Sequence, residues 1–342
     1  MAGRKWMIGI TAALALATSA AAALATGEVT VEGNRFYRDG KPWVAEGVVL
    51  VGMVAPEATL ADKPAYASAR ERYGPKLLDA IIDYGADAVR IAVSQSGLDP
   101  QSPIHDPGYR DEVLDAVAQA RAKGLAVLLL MQWQGATGLR GTGMPTDTTR
   151  RAWAELIGPL SKDRGVLLEL FNEPTLKDRT PENWAIWQAD MQSLIDQVRA
   201  SGAQNVVLVD GLRGGHYLGG SPPLHDPTGQ LGYAVHPFLV AVNKTRRQWD
   251  ENFGDFARDH PVMGTSFNAR SANGYCRKTF PQEVDKLLKY LNQRHIGLFI
   301  WAFDLPGVRR ANGTLSSYDD FSCDPKSGGG AGEAVHEYFL AH

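Results

Sequence analysis

The residues with the most chemical content lie in Leu170-Phe171-Asn172-Glu173-Pro174. A carboxylic acid at the end of a strand can hand a proton to a glycosidic oxygen. An amide beside it can hold the sugar 2-hydroxyl, a contact that strengthens in the transition state. Pro174 has no N–H to give a ladder, so it stops the strand that delivers the pair. Further polar residues stand directly behind apolar runs: Arg90, Gln132 and Trp133, Asp210, His236, and Trp301 with Asp304. Glu169, four residues before Glu173, shares its inward strand parity and reads as a buried partner for Arg90 rather than as a catalyst.

These groups need elements that bring them to one place. Eight short apolar runs recur along the chain, over residues 44–51, 88–92, 126–131, 166–171, 206–209, 231–235, 262–265 and 298–302. Helical patterns separate them, such as Leu77, Leu78, Ile81 and Ile82 before Gly85, and Val113, Leu114, Val117 and Ala120 before Gly124, where glycine suits a C-cap. Pro181 opens a helix whose apolar face carries Trp184, Trp187, Met191, Leu194 and Val198, read as core. Pro281 opens another with Val284, Leu287 and Leu288, and residues 334–339 suit a last helix. Connections this long demand parallel strands, and eight such units close into a single-domain α/β (β/α)8 TIM barrel over residues 26–342. An open doubly wound sheet would need a Gly-rich phosphate loop after its first strand, and none is there. Residues 28–41, with Gly33 and the Asp39-Gly40 turn, read as a two-stranded flap over the barrel's N-terminal end. In a barrel the C-terminal strand ends form the site, which gathers the polar residues named above.

With 342 residues, 44% of them hydrophobic, the chain can bury one large core. Its 35 Lys and Arg against 38 Asp and Glu leave no basic excess for phosphates, so nucleic acid is not expected as a partner. Arg4 and Lys5 followed by the small and apolar residues 6–24 read as a signal peptide over residues 1–25, which places the mature protein in a secreted or periplasmic setting and off the membrane. A membrane anchor would need roughly 20 strongly apolar residues, and Gly, Thr, Ser and Ala dilute this stretch. In an oxidising compartment Cys276 and Cys323 are expected to form a disulfide, with two buried thiols as the alternative. The chain reads as a monomer.

With Asn172-Glu173-Pro174 closing the fourth strand of eight, the sequence resembles glycoside hydrolase family 5, the cellulase family, over about residues 28–342. The resemblance implies a retaining β-glycosidase acting on a β-linked polysaccharide of the glucan or mannan type. It makes Glu173 the acid/base, Asn172 the 2-hydroxyl ligand, Arg90 the arginine that orients the strand-seven nucleophile, His236 the strand-six histidine, and Trp301 the tryptophan under the sugar at the cleavage point. Trp133 and Tyr275 are candidate sugar platforms. No cofactor is implied. A metal-dependent barrel would place His-x-His at the end of its first strand, where Val49-Leu50-Val51 stands.

Two departures carry consequences. After Pro261-Val262-Met263-Gly264-Thr265 the family pattern asks for Glu, and the sequence has Ser266 at this vacated nucleophile position. The strand-six motif His-x-Tyr is His236-Pro237-Phe238, and strand three ends in Gln132-Trp133-Gln134 where the family often has His. Retention needs two carboxyls about 5–5.5 Å apart, and an unactivated hydroxyl does not replace one. Hydrolysis is therefore expected to be impaired or rerouted, and Glu173, freed of an anionic neighbour, to be more acidic. Three explanations stay open: deliberate removal of the nucleophile, a natural relative that binds glycans without cutting them, and recruitment of another group. Asp304 or Asp210, placed about 6.5–9.5 Å from Glu173, would permit inversion. Phe238 favours natural divergence, because removal of one Glu gives no reason to remove a Tyr.

Overall fold

The computed structural model describes residues 27–61, 63–132, 143–268, 280–304 and 331–342. The signal segment, Trp133, Tyr275, Cys276 and Cys323 lie outside the described residues, and with them the expected disulfide and two sugar platforms. Strands β1 (Val29–Glu32), β2 (Arg35–Arg38) and β3 (Lys41–Trp43) make an antiparallel sheet. The expected two-stranded flap thus has three strands, because the Asp39-Gly40 turn, with φ of 50° and 73°, reverses the chain a second time. Strands β4 (Glu46–Leu50), β5 (Ala88–Ser94), β6 (Ala126–Gln132), β7 (Val166–Glu169), β8 (Val207–Asp210), β9 (Leu231–Val235), β10 (Val262–Phe267) and β11 (Gly297–Ile300) follow. They close a parallel barrel in sequence order, β11 pairing with β4.

Alternation along each strand separates two apolar layers. Val89, Ile91 and Val93 of β5 pack outward against the helices, while Ala88 and Ala92 face the barrel interior with Leu128, Leu130, Leu167 and Leu208. The same parity turns Arg90, Glu169 and Asp210 inward. Helices Pro75–Asp83, Pro107–Ala122, Asp147–Leu160, Pro181–Ala200 and Phe280–Gln293 surround the strands. Trp184, Trp187, Met191, Leu194 and Val198 of the fourth of these are buried as core. Among the described residues no helix is long and apolar enough to cross a membrane.

The flap seals the barrel end opposite the strand-end residues. Val29 N–H donates to the Arg164 carbonyl (3.0 Å) and Val31 N–H to Gln230 Oε1 (2.9 Å), both from segments that lead into strands. Phe36, 3% exposed, fills the space left by Gly232, where a methyl would meet the ring at 2.7 Å.

In β10 the register slips: Gly264 pairs with Leu298 and Phe267 with Ile300, so Thr265 and Ser266 together oppose the single residue Phe299. Thr265 consequently reaches the interior, and buried Ser266 stands beside it.

Candidate active site

A bidentate ion pair forms the base of the site. Arg90 Nε donates to Glu169 Oε2 (2.6 Å) and Nη2 to Oε1 (2.8 Å), with both side chains at most 2% exposed. Thr265 Oγ1 adds a third donor to Glu169 (2.9 Å), and Arg90 Nη2 also donates to Asn172 Oδ1 (3.0 Å). Thus the structure gives Glu169 to Arg90 as partner and fixes the Asn172 amide with its oxygen facing the guanidinium.

Above this layer the backbone delivers Glu173. Trp153 Nε1 and Asn172 N–H, bonded to the carbonyls of Leu170 and Met131, hold the chain beyond β7. Glu173 then takes φ +55°, an uncommon conformation for a side chain of this size, secured by its N–H to Asp210 Oδ2 (2.8 Å). Its carboxylate, 30% exposed, accepts from His236 Nδ1 (3.0 Å). His236 Nε2 lies 3.5 Å from Asp210 Oδ2, 3.9 Å from Glu169 Oε1 and 3.3 Å from Arg90 Nη2.

Three carboxyl groups and two bases therefore share one buried volume. Burial alone would push the His236 imidazole down, but Glu169, Glu173 and Asp210 around it outweigh burial and hold it at about 9. Burial raises Glu169 and Glu173, yet Arg90 and His236 bring both below the ordinary carboxylate range. Asp210 goes the other way: burial, then the Glu169 charge, raise it well above the usual value. Arg90 and His236 thus stand as cations against the Glu169 and Glu173 carboxylates. In this arrangement Glu173 is an anion at neutral pH, which is the direction expected from the sequence, although the cause also includes the imidazolium.

Asp304 has a separate task. Its oxygens accept the N–H groups of Val51 (2.9 Å) and Gly52 (2.7 Å), tying the end of β11 to the end of β4, and burial raises its carboxyl to about 6. Trp301 is partly exposed at the end of β11, with its N–H on the Phe267 carbonyl (2.7 Å).

His216 was not singled out by the sequence. The loop after β8 runs through left-handed Arg213, Gly214 and Gly215, and a methyl on Gly215 would strike the His236 ring at 2.9 Å. That close approach sets His216 Nδ1 2.8 Å from the His236 carbonyl and 3.1 Å from Asn243 Nδ2. Burial, then the His236 charge, lower His216 to about 4, so it is neutral. The Gly214-Gly215 pair behind a strand ending in Asp was the available signal. A cluster of Glu169, Asp210 and His236 has metal-like spacing, but the Arg90 guanidinium already occupies both Glu169 oxygens and lies 3.3 Å from His236 Nε2, so the donor set does not suit a further cation.

A closed parallel barrel with an Asn-Glu pair at the mouth of its fourth strand defines the (β/α)8 glycosidase class. The chain belongs to the cellulase family, glycosyl hydrolase family 5, whose family model matches residues 65–305. No curated protein sequence matches it. Among solved structures it is similar to a β-glucanase of Saccharophagus degradans in complex with cellotetraose, at 21% identity and TM-score 0.69, covering 92% of this chain and 93% of that one. It is also similar to the catalytic domain of an endoglucanase of Thermobifida fusca (20%, TM-score 0.66, 92% and 98%). A third is the catalytic domain of a mannanase from Streptomyces sp. SirexAA-E (18%, TM-score 0.63, 95% and 94%). At these identities the likeness is one of fold.

Proposed function

We propose that this family 5 barrel takes a β-1,4-linked glucan or mannan in its cleft and hydrolyses it slowly, with Glu173 as the remaining acid/base and Ser266 at the vacated nucleophile position. The observation that carries this reading is the hydrogen-bonded cluster around Glu173. It keeps the arginine, asparagine, histidine and acid of a glycosidase site in mutual hydrogen-bonding contact, while position 266 supplies only a hydroxyl. The cellotetraose in the S. degradans β-glucanase supports a β-linked glucan as ligand, and the mannanase supports mannan as the second candidate.

Proton delivery in such a site starts from His236. Its Nδ1–H lies against Glu173 Oε1, so a proton passed to the carboxylate can continue to the glycosidic oxygen as the C–O bond breaks. The positive charge left on the anomeric carbon meets no second carboxylate and is captured directly by water, whose proton returns to the Glu173 carboxylate; loss of the second carboxylate costs on the order of 4–8 kcal/mol of barrier. Non-catalytic glycan binding is the second reading, favoured by the ionised state of Glu173.

Hydrolysis of an aryl β-glucoside and of cello- and manno-oligosaccharides by the wild type, Ser266→Glu and Glu173→Gln separates them. The expected result is slow turnover beyond one equivalent, a gain of several orders of magnitude in Ser266→Glu, and loss in Glu173→Gln. Equal activity of wild type and Ser266→Glu would overturn the nucleophile assignment, and absence of multiple turnover would leave the binding reading.

A further inference from the structure

The loop after β8 lies against the chain on both sides of Glu173. Gly214 N–H donates to the Pro174 carbonyl (2.8 Å) and Arg213 N–H to the Leu176 carbonyl (2.9 Å), so the loop is bound to the segment that leaves the acid. His236 N–H donates to the Gly215 carbonyl (2.8 Å), which binds the loop to the histidine on the other flank. His216 follows directly, half-buried, with its ring edge-on to Phe238 at 6.5 Å. No step of the proposed hydrolysis uses it.

Buried amides fix that ring. Asn252, 3% exposed in a single π turn over Asp250–Gly254, accepts the N–H groups of Leu218 and Gly219 on its carbonyl, both at 2.8 Å. Its Nδ2 donates to Asn243 Oδ1 (2.7 Å), which orients the fully buried Asn243 amide. Asn243 Nδ2 then stands 3.1 Å from His216 Nδ1, while the His236 carbonyl lies closer to the same nitrogen, at 2.8 Å. A carbonyl at that distance calls for a proton on Nδ1. The imidazole is neutral, so Nε2 carries a bare lone pair. Nε2 has no partner among the described residues and is not one of the enclosed polar atoms, which leaves it open at the wall beside Glu173.

The charges that reach His216 select what can meet this lone pair. The Glu173 carboxylate repels an anion, and the His236 imidazolium and Arg213 guanidinium repel a cation. A neutral O–H donor satisfies both conditions, and sugar hydroxyls are such donors. We propose that His216 is a specificity-determining residue of the cleft, its Nε2 accepting a hydrogen bond from a hydroxyl of the sugar chain bound across Glu173. The assignment rests on the reading of the barrel as a glycan-binding protein and adds to it a hydroxyl acceptor set on the wall that follows β8. A ligand without a hydroxyl at that point leaves the lone pair unpaired, which is how such a group discriminates.

The test uses the full-length protein labelled with 15N-histidine, the His216 signals being identified by their loss in His216→Phe, with calorimetric titration of cellotetraose and mannotetraose alongside. The free protein is expected to show a protonated Nδ1 and a bare Nε2 between pH 6 and 8. Saturation with either tetrasaccharide should move the Nε2 signal toward its hydrogen-bonded position and leave Nδ1 in place. His216→Phe should weaken binding about three- to tenfold, the worth of one hydrogen bond, and His216→Gln, which keeps an acceptor, should weaken it less. A proton on Nε2 in the free protein, an unmoved Nε2 signal with the tetrasaccharide bound, or an equal loss of affinity in both variants would each overturn the role of His216. Failure of the wild type to bind either tetrasaccharide would instead overturn the glycan-binding reading itself, and this role with it.

Discussion

Glu169 and Arg90 bury a complete ion pair beneath the cleft, and Thr265 saturates it further. Such a pair is costly to break, because the surviving charge has no water to turn to. Glu169→Gln is therefore expected to destabilise the fold by about 3–5 kcal/mol in urea denaturation. A loss below about 1 kcal/mol would mean that Arg90 finds another partner. Much of this layer was legible in the sequence. Arg90 and Glu169 lie within apolar runs and Asp210 and His236 directly behind them, all with inward parity, and a parallel barrel must bring such positions together. What was not legible depended on distances between strands. Asp210 read as a possible replacement nucleophile, and in the fold it also clamps the Glu173 backbone, with burial and the nearby Glu169 charge raising its carboxyl. His216 escaped because its placement follows from three left-handed residues in succession, for which glycine gave only a partial signal.

Each of the eight barrel strands coincides with an apolar run read from the sequence, since burial on both faces leaves Val, Leu, Ile and Ala little competition. Edges were less well defined. The third flap strand, Lys41–Trp43, contains a proline, and with Lys41 and Pro42 exposed and Trp43 half-buried no alternation announces it. The slip in β10 likewise has no local marker, since Thr265 and Ser266 suit a regular strand as well as a bulge. The flap nonetheless supports the barrel through Phe36, seated over Gly232. Phe36→Ala is expected to cost about 3–5 kcal/mol of stability, as a large buried aromatic does. Because the flap lies at the end opposite Glu173, affinity for cello-oligosaccharides, measured by calorimetry below the melting temperature, should stay within about twofold. A loss of binding in parallel with stability would show that the two ends are coupled.

For the molecule as a whole the buried cluster sets a pH dependence. The value for His236 in the folded protein, about 9, exceeds its ordinary 6.5. Its contribution is therefore complete below about pH 6.5 and disappears as the pH rises toward 9. At about 1.4 kcal/mol per unit this amounts to roughly 3 kcal/mol. Urea unfolding at pH 6 and pH 9.5 should show that loss in the wild type and a much flatter profile in His236→Asn; equal slopes would contradict the charge assignment. Arg90 is paired with Glu169 and His236 with Glu173 without any charge at position 266. That independence bears on tolerance: a change of side chain at position 266 leaves this charged framework, and with it the floor of the barrel mouth, in place.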